Sequence, residues 1–137
     1  MIKVKSKLRQ AYSFAKKVHD GQFRNDGKTP YFTHPLKVYN TLKEFTNDKD
    51  VLIAALLHDS VEDTDTKIED IEVHFGKRIA ELVREVTKDK NGNFDIKTKE
   101  GLMIKLAYTL HNVSTQPSLK YFQKKKEWFE NIRREFL

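Results

Sequence analysis

The run Val51-Leu52-Ile53-Ala54-Ala55-Leu56-Leu57, followed by His58-Asp59-Ser60-Val61-Glu62-Asp63, constrains this chain more than any other stretch. Seven consecutive apolar residues leave a helix no polar face to turn toward water. The segment therefore belongs at the centre of a fold. It then delivers His58, Asp59, Glu62 and Asp63 within six positions. Charge carried to the end of a buried segment is costly unless it pairs or binds metal. Imidazole and carboxylate both bind first-row divalent cations, so adjacent His58 and Asp59 can reach one ion from a single helix. Glu62 lies four residues after His58, and Asp63 four after Asp59, which stacks each acid on the face of its partner. Acids at a helix C-terminus oppose the macrodipole, which weakens the account of them as a merely solvated end. Carboxylates one turn from an ion can orient or deprotonate a water.

Helical periodicity dominates the rest of the chain. Leu8, Ala11, Tyr12, Ala15 and Val18 form a stripe at three- and four-residue spacing over residues 5–20. Gly21, Gly27 and Pro30 mark residues 21–33 as a loop. Thr33 is the expected cap of a second helix through Leu36, Val38, Tyr39, Leu42 and Phe45, with Pro35 tolerated in its first turn. Asn47 or Asp48 caps a third helix, which is predicted to run unbroken to about Glu62. A fourth, opened by Thr66, covers about 67–75 and stops at Gly76; a fifth covers about 77–87. Asn91-Gly92-Asn93 marks a turn, and a sixth helix spans about 98–114. Pro117 starts a last helix with Tyr121, Trp128 and Ile132 on one face and Phe122, Phe129 and Phe136 on a neighbouring one. There is no repeat, no low-complexity tract and no convincing strand. The expectation is an all-α fold, one domain over residues 1–137, long enough to bury a core.

Composition narrows the function classes. The net charge is +6, but Lys and Arg are spread along the chain. Only Lys124-Lys125-Lys126 and Arg133-Arg134 cluster, on what reads as a solvated helix face. With no aromatic–basic platform, a nucleic-acid partner is not expected, whereas a small polyanionic substrate suits the charge. The absence of cysteine excludes disulfides and thiolate metal sites. No apolar run approaches the ~18 residues of a membrane span. The basic, polar opening Met1–Gln10 has no signal-peptide pattern, so a cytoplasmic protein without a membrane partner is expected. The aromatic last helix suits either the core or a homo-oligomer interface.

Four places are candidates for one cleft: His34 at the entrance of the second helix, His58-Asp59, Glu62-Asp63, and the sixth helix. On that last helix Lys105, Tyr108 and Asn112 share a face at i, i+3 and i+7. By itself such a face is a common amphipathic pattern.

The order and spacing of several motifs resemble a known family. They are His19-Asp20-Gly21-Gln22-Phe23-Arg24, Gly27-Lys28-Thr29-Pro30-Tyr31-Phe32-Thr33-His34-Pro35, and Ala54-Ala55-Leu56-Leu57-His58-Asp59-Ser60-Val61-Glu62-Asp63-Thr64. Phe75-Gly76, Val86-Thr87-Lys88, Ile104-Lys105-Leu106-Ala107 and Leu110-His111-Asn112 complete the set, which covers roughly residues 5–125. Together they resemble the HD-domain alarmone hydrolases, meaning the hydrolase half of bifunctional RelA/SpoT proteins and the stand-alone small alarmone hydrolases. The resemblance implies an all-helical HD bundle that removes pyrophosphate from the 3′ position of guanosine tetra- or pentaphosphate using Mn²⁺. It implies His34, His58 and Asp59 as metal ligands and Glu62 and Asp63 as the pair that activates water. Arg24 matches a residue on the guanine side of the pocket, Asn112 a nucleotide contact, and Lys105 a further position of the pocket motif.

One position departs. Where the family has Asp as a fourth metal ligand this chain has Tyr108, and Thr109 follows where Arg is usual. A neutral phenol, with a pKa near 10 in isolation, is a poor ligand. Losing a carboxylate weakens a site for hard Mn²⁺. Three outcomes are open at this level: Tyr108 ligates as a phenolate, three protein ligands plus water suffice, or the chain binds a nucleotide signal without turning it over.

Overall fold

The computed structural model describes residues 6–115 together with 126, 127, 130 and 134. Among these the architecture is all-α. The nearest thing to a strand is an isolated bridge between Phe23 and Pro30.

Helix α1 (Lys7–Val18) opens at Ser6, whose side chain accepts from the Arg9 N–H at 3.2 Å. This satisfies one of the first-turn donors. Its inner stripe buries Ala11 and Ala15. The loop that follows is pinned across itself: the Arg24 N–H donates to the Thr29 carbonyl and the Tyr31 N–H to the Gln22 carbonyl, both at 2.8 Å. Asp26 closes its tip by accepting from the Lys28 and Thr29 N–H groups. A polar loop is thereby stiff enough to present Arg24 and Tyr31 in fixed places.

Helix α2 (Thr33–Lys43) differs from expectation at both ends. Thr33 is already helical behind Phe32, and its hydroxyl donates backward to the Pro30 carbonyl at 2.8 Å rather than capping. The helix ends at Lys43, leaving Phe45 in solvent. Pro35 sits in the first turn, where a missing N–H costs nothing.

Helix α3 (Lys49–Leu57) is the centre of the fold. Asp48 caps it by accepting from the Asp50 N–H at 3.1 Å. All seven residues from Val51 to Leu57 are buried, because α1, α2, α6 and α7 pack around it. The predicted run to Glu62 is broken: α3 ends at Leu57, His58 and Asp59 form a turn, and α4 (Ser60–Asp63) is a separate single turn. The Asp63 N–H donates to the Asp59 carbonyl at 3.0 Å, which closes that single turn on its N-cap.

Helices α5 (Ile68–Phe75) and α6 (Lys77–Glu85) are hinged at Gly76, whose φ of 100° is open only to glycine at low cost. Helix α6 stops two residues short of the expected Thr87. Helix α7 (Lys99–Thr115) begins where the Thr98 hydroxyl accepts from the Gly101 N–H at 3.0 Å. Its start is tied to α6 by the buried Glu85 carboxylate, which accepts from the Lys97 and Thr98 N–H groups at 2.6 and 2.8 Å. The aromatic helix expected from Pro117 lies outside the described residues apart from 126, 127, 130 and 134, which are helical. No helix among the described residues is long and apolar enough to cross a membrane.

Candidate metal centre

His34, in the first turn of α2, and His58 and Asp59, at the break after α3, bring three ligand atoms together. His58 Nε2 lies 3.3 Å from His34 Nε2 and 3.0 Å from Asp59 Oδ2, and His34 Nε2 lies 3.5 Å from the same oxygen. Donor atoms about 2.1 Å from a cation stand about 3.0 Å apart in an octahedron and about 3.4 Å apart in a tetrahedron, so this triangle has the size of one face of a coordination sphere. Two neutral imidazoles and a carboxylate suit a divalent first-row ion. All three residues are buried.

The break in α3 makes the convergence possible. Within a regular helix, neighbouring side chains diverge by about 100°. Asp59 instead has φ −96° and ψ −2°, and its carboxylate turns onto the His58 ring. The sequence placed His58 and Asp59 within one helix; the turn is what lets adjacent residues share a point.

Neighbouring groups hold each ligand. His58 Nδ1 lies 2.6 Å from the Ala55 carbonyl, which has no proton to give, so Nδ1 carries the hydrogen, and in the neutral ring the Nε2 lone pair faces the triangle. The Tyr31 hydroxyl donates to Asp59 Oδ2 at 2.9 Å. Burial, then the Asp59 and Asp63 carboxylates, push the Tyr31 phenol well above its ordinary range, so it remains a donor. His34 Nδ1 lies 2.6 Å from His111 Nδ1. Burial pushes the His34 imidazole down to about 2, which keeps it neutral. Burial also disfavours charge on His58, but the adjoining Asp59 outweighs it and raises the pKa. Asp59 is likewise buried, yet His58, His34 and the Tyr31 hydroxyl hold its carboxyl well below the usual range.

The remaining predicted residues take distinct places. Glu62 Oε1 accepts from the Lys88 N–H, which ties α4 to the segment after α6. Burial raises the Glu62 pKa against that bond, and burial followed by the Asp59 charge raises that of Asp63. The Asp63 carbonyl accepts from Gln22 Nε2 at 2.9 Å. Arg24 and Asn112, from the loop and from α7, are joined by a 3.1 Å bond from Nη2 to Oδ1. The Arg24 guanidinium also stands 5.7 Å from the Tyr31 ring centre. Lys105 is buried rather than lining an open surface, with its ammonium 3.6 Å from the Phe94 ring centre and 4.4 Å from that of Tyr108. Tyr108 is buried with its ring stacked on His58, 4.9 Å between centres and 12° from parallel.

Tyr31 and His111 went unnoticed as site residues in the sequence, because a lone aromatic in a loop and a lone His on an amphipathic helix carry no local signal. A separate cleft of about 500 Å³ is lined by Glu72, Lys77, Arg84, Asp95 and Lys97 among others and shares no residue with the triad. Its mixed charges make no convergent ligand set.

Known proteins resemble this chain in sequence and in fold. The chain is 41% identical over 131 residues to the bifunctional (p)ppGpp synthase/hydrolase SpoT of Escherichia coli K12, covering 83% of this chain but 18% of SpoT. It is 44% identical over 88 residues to the human guanosine-3′,5′-bis(diphosphate) 3′-pyrophosphohydrolase MESH1, covering 62% of this chain and 49% of MESH1. The chain thus spans half or less of these relatives. A solved structure described as a metazoan ortholog of SpoT that hydrolyses ppGpp superposes with a TM-score of 0.77 at 29% identity, over 96% of this chain and 86% of that one. The HD-domain family model matches residues 11–100, well over half of the sequence and inclusive of the whole His34–His58–Asp59 cluster, and the chain belongs to that family.

Proposed function

We propose that this protein is a metal-dependent hydrolase that removes the 3′-pyrophosphate from guanosine tetra- or pentaphosphate, or a closely related nucleotide, with Mn²⁺ as its cation. The observation that carries the proposal is the convergence of His34 Nε2, His58 Nε2 and Asp59 Oδ2 one turn before Glu62 and Asp63. The named activities of SpoT and MESH1 support the choice of substrate.

His34, His58 and Asp59 would hold the ion. When bound, a divalent cation supplies Lewis-acid charge and lowers the pKa of water. Glu62 and Asp63 orient the attacking water and take its proton on a carboxylate oxygen. Burial raises both pKa values toward the range in which a carboxylate is an effective general base. The new bond forms from the water oxygen to the phosphorus next to the ribose, and the bond from that phosphorus to O3′ breaks, O3′ leaving with the electron pair and taking up a proton from solvent to become the 3′-hydroxyl. Arg24, braced by Asn112 and Tyr31, faces the nucleotide. Lys105 is too deeply buried for direct contact and acts through its charge. The net +6 suits a polyanionic substrate, and a cytoplasmic location belongs to the same reading.

The test is pyrophosphate release from guanosine tetraphosphate with and without Mn²⁺. Turnover that requires Mn²⁺ is expected. Glu62→Gln should lower kcat by about 10²–10⁴-fold while Mn²⁺ affinity stays within a few-fold. A second reading, a nucleotide-binding protein without turnover, is favoured by the buried Tyr108 against His58. Nucleotide binding with no pyrophosphate released under saturating Mn²⁺ would select it.

A further inference from the structure

His111 is a histidine that the proposed chemistry does not use, yet its ring is bonded to a metal-site residue. Its Nδ1 lies 2.6 Å from His34 Nδ1, and the two rings are 14° from parallel with centres 4.9 Å apart. With nitrogens so close, a face-to-face stack would bring the centres nearer. The separation is that of two rings joined nitrogen to nitrogen along the line of their centres. The contact is therefore an in-plane N–H···N hydrogen bond, and one proton lies between the two nitrogens.

That single proton has consequences for His34. The Nε2 of His34 points at His58 Nε2 and Asp59 Oδ2 and must present a lone pair to accept a cation. A neutral imidazole has one proton, so it must then sit on Nδ1, which makes His34 the donor. His111 Nδ1 must accept, and its own proton must sit on Nε2. The opposite arrangement, with His111 donating, puts the His34 proton on Nε2, where it points into the cluster and blocks the site. The second ligand is set differently: a backbone carbonyl fixes His58, and a carbonyl can only accept. His34 has instead an imidazole partner, which can do either.

We infer that His111 is a positioning residue that selects the metal-binding tautomer of His34 by accepting its Nδ1–H. The inference rests on the proposed metal site. It assigns His111 no contact with substrate. Metal-ligating histidines commonly depend on such a partner for orientation and basicity, at about 10–100-fold in affinity.

The experiment is Mn²⁺ titration by calorimetry of the full chain, with His111→Asn and His111→Leu beside it. Asn Oδ1 stands where His Nδ1 stands and can only accept a hydrogen bond when its oxygen faces His34. Leu fills similar space without an acceptor. His111→Leu should bind Mn²⁺ about 10–100-fold more weakly, and His111→Asn within about threefold of the parent. Equal affinity in His111→Leu and the parent would overturn the inference and leave the metal site standing. Equal weakening in both variants would overturn it too, by making ring packing the cause. Failure of the parent to bind Mn²⁺ would overturn the metal site and the inference together. A readout that needs no variant is the ¹⁵N spectrum of the parent's histidine rings above neutral pH. A His34 proton on Nδ1 is expected, and one on Nε2 would overturn the assignment whatever the variants do.

Discussion

Tyr108 is the residue on which the chemistry turns. Its ring is stacked on His58 and carries the Lys105 ammonium on its face. Such contacts stabilise by about 0.5–2 kcal/mol each, so the phenol has structural work at this position. Tyr108→Asp would exchange that packing for a charge beside the triad. Mn²⁺ affinity is expected to rise about tenfold, or about 1.4 kcal/mol, read by calorimetry. The apo protein should meanwhile melt at a lower temperature. Unchanged affinity would mean that position 108 does not address the ion. At this scale His58, Asp59, Glu62 and Asp63 stood out in the sequence, because ionisable groups beside an apolar run need a reason, whereas His34 stood out as a ligand only through the family resemblance. Tyr31 and His111 did not stand out, since their value comes from partners 28 and 77 positions away.

Among the elements, α3 decides most. Its apolar run was readable as a buried helix, but its end was not: the turn at His58–Asp59 leaves no mark in hydrophobic periodicity, and it is what aims both side chains at one point. The start of α3 is held from outside as well. Asp48, its cap, accepts from Arg78 on α6 at 2.7 and 2.9 Å. Arg78 is half exposed, so the ion pair itself adds little and the cap dominates. Asp48→Ala is expected to cost about 0.5–2 kcal/mol in urea unfolding. Hydrogen bonds from Arg78 lower the Asp48 pKa in the folded protein. Its contribution is therefore fully present above the unfolded value of about 3.9 and is lost as pH falls through the lower folded one. In the parent, stability should decline over that acid window, and Asp48→Ala should decline less steeply there.

Across the described residues, four helices pack on α3, and Ile53 of α3 is buried in the core, 1% exposed. Ile53→Ala should cost about 2–5 kcal/mol of unfolding free energy, seen as a lower denaturant midpoint at unchanged slope. The site hangs from this core, since α2 carries His34, His58 follows directly on the end of α3, and α7 carries Tyr108, His111 and Asn112. Helical period, the seven-residue apolar run and the turn residues sufficed for an all-α fold and for singling out His58 and Asp59, while His34 entered as a ligand through the family resemblance. Those features are local: they depend on which side of one helix faces water, and a sequence records that directly. The tertiary structure alone decided that Arg24 meets Asn112, that Lys105 is buried on two rings, and that His111 bonds His34. Each of these is a contact between groups distant in the chain, and it exists only once packing around α3 has set the angles of the surrounding helices.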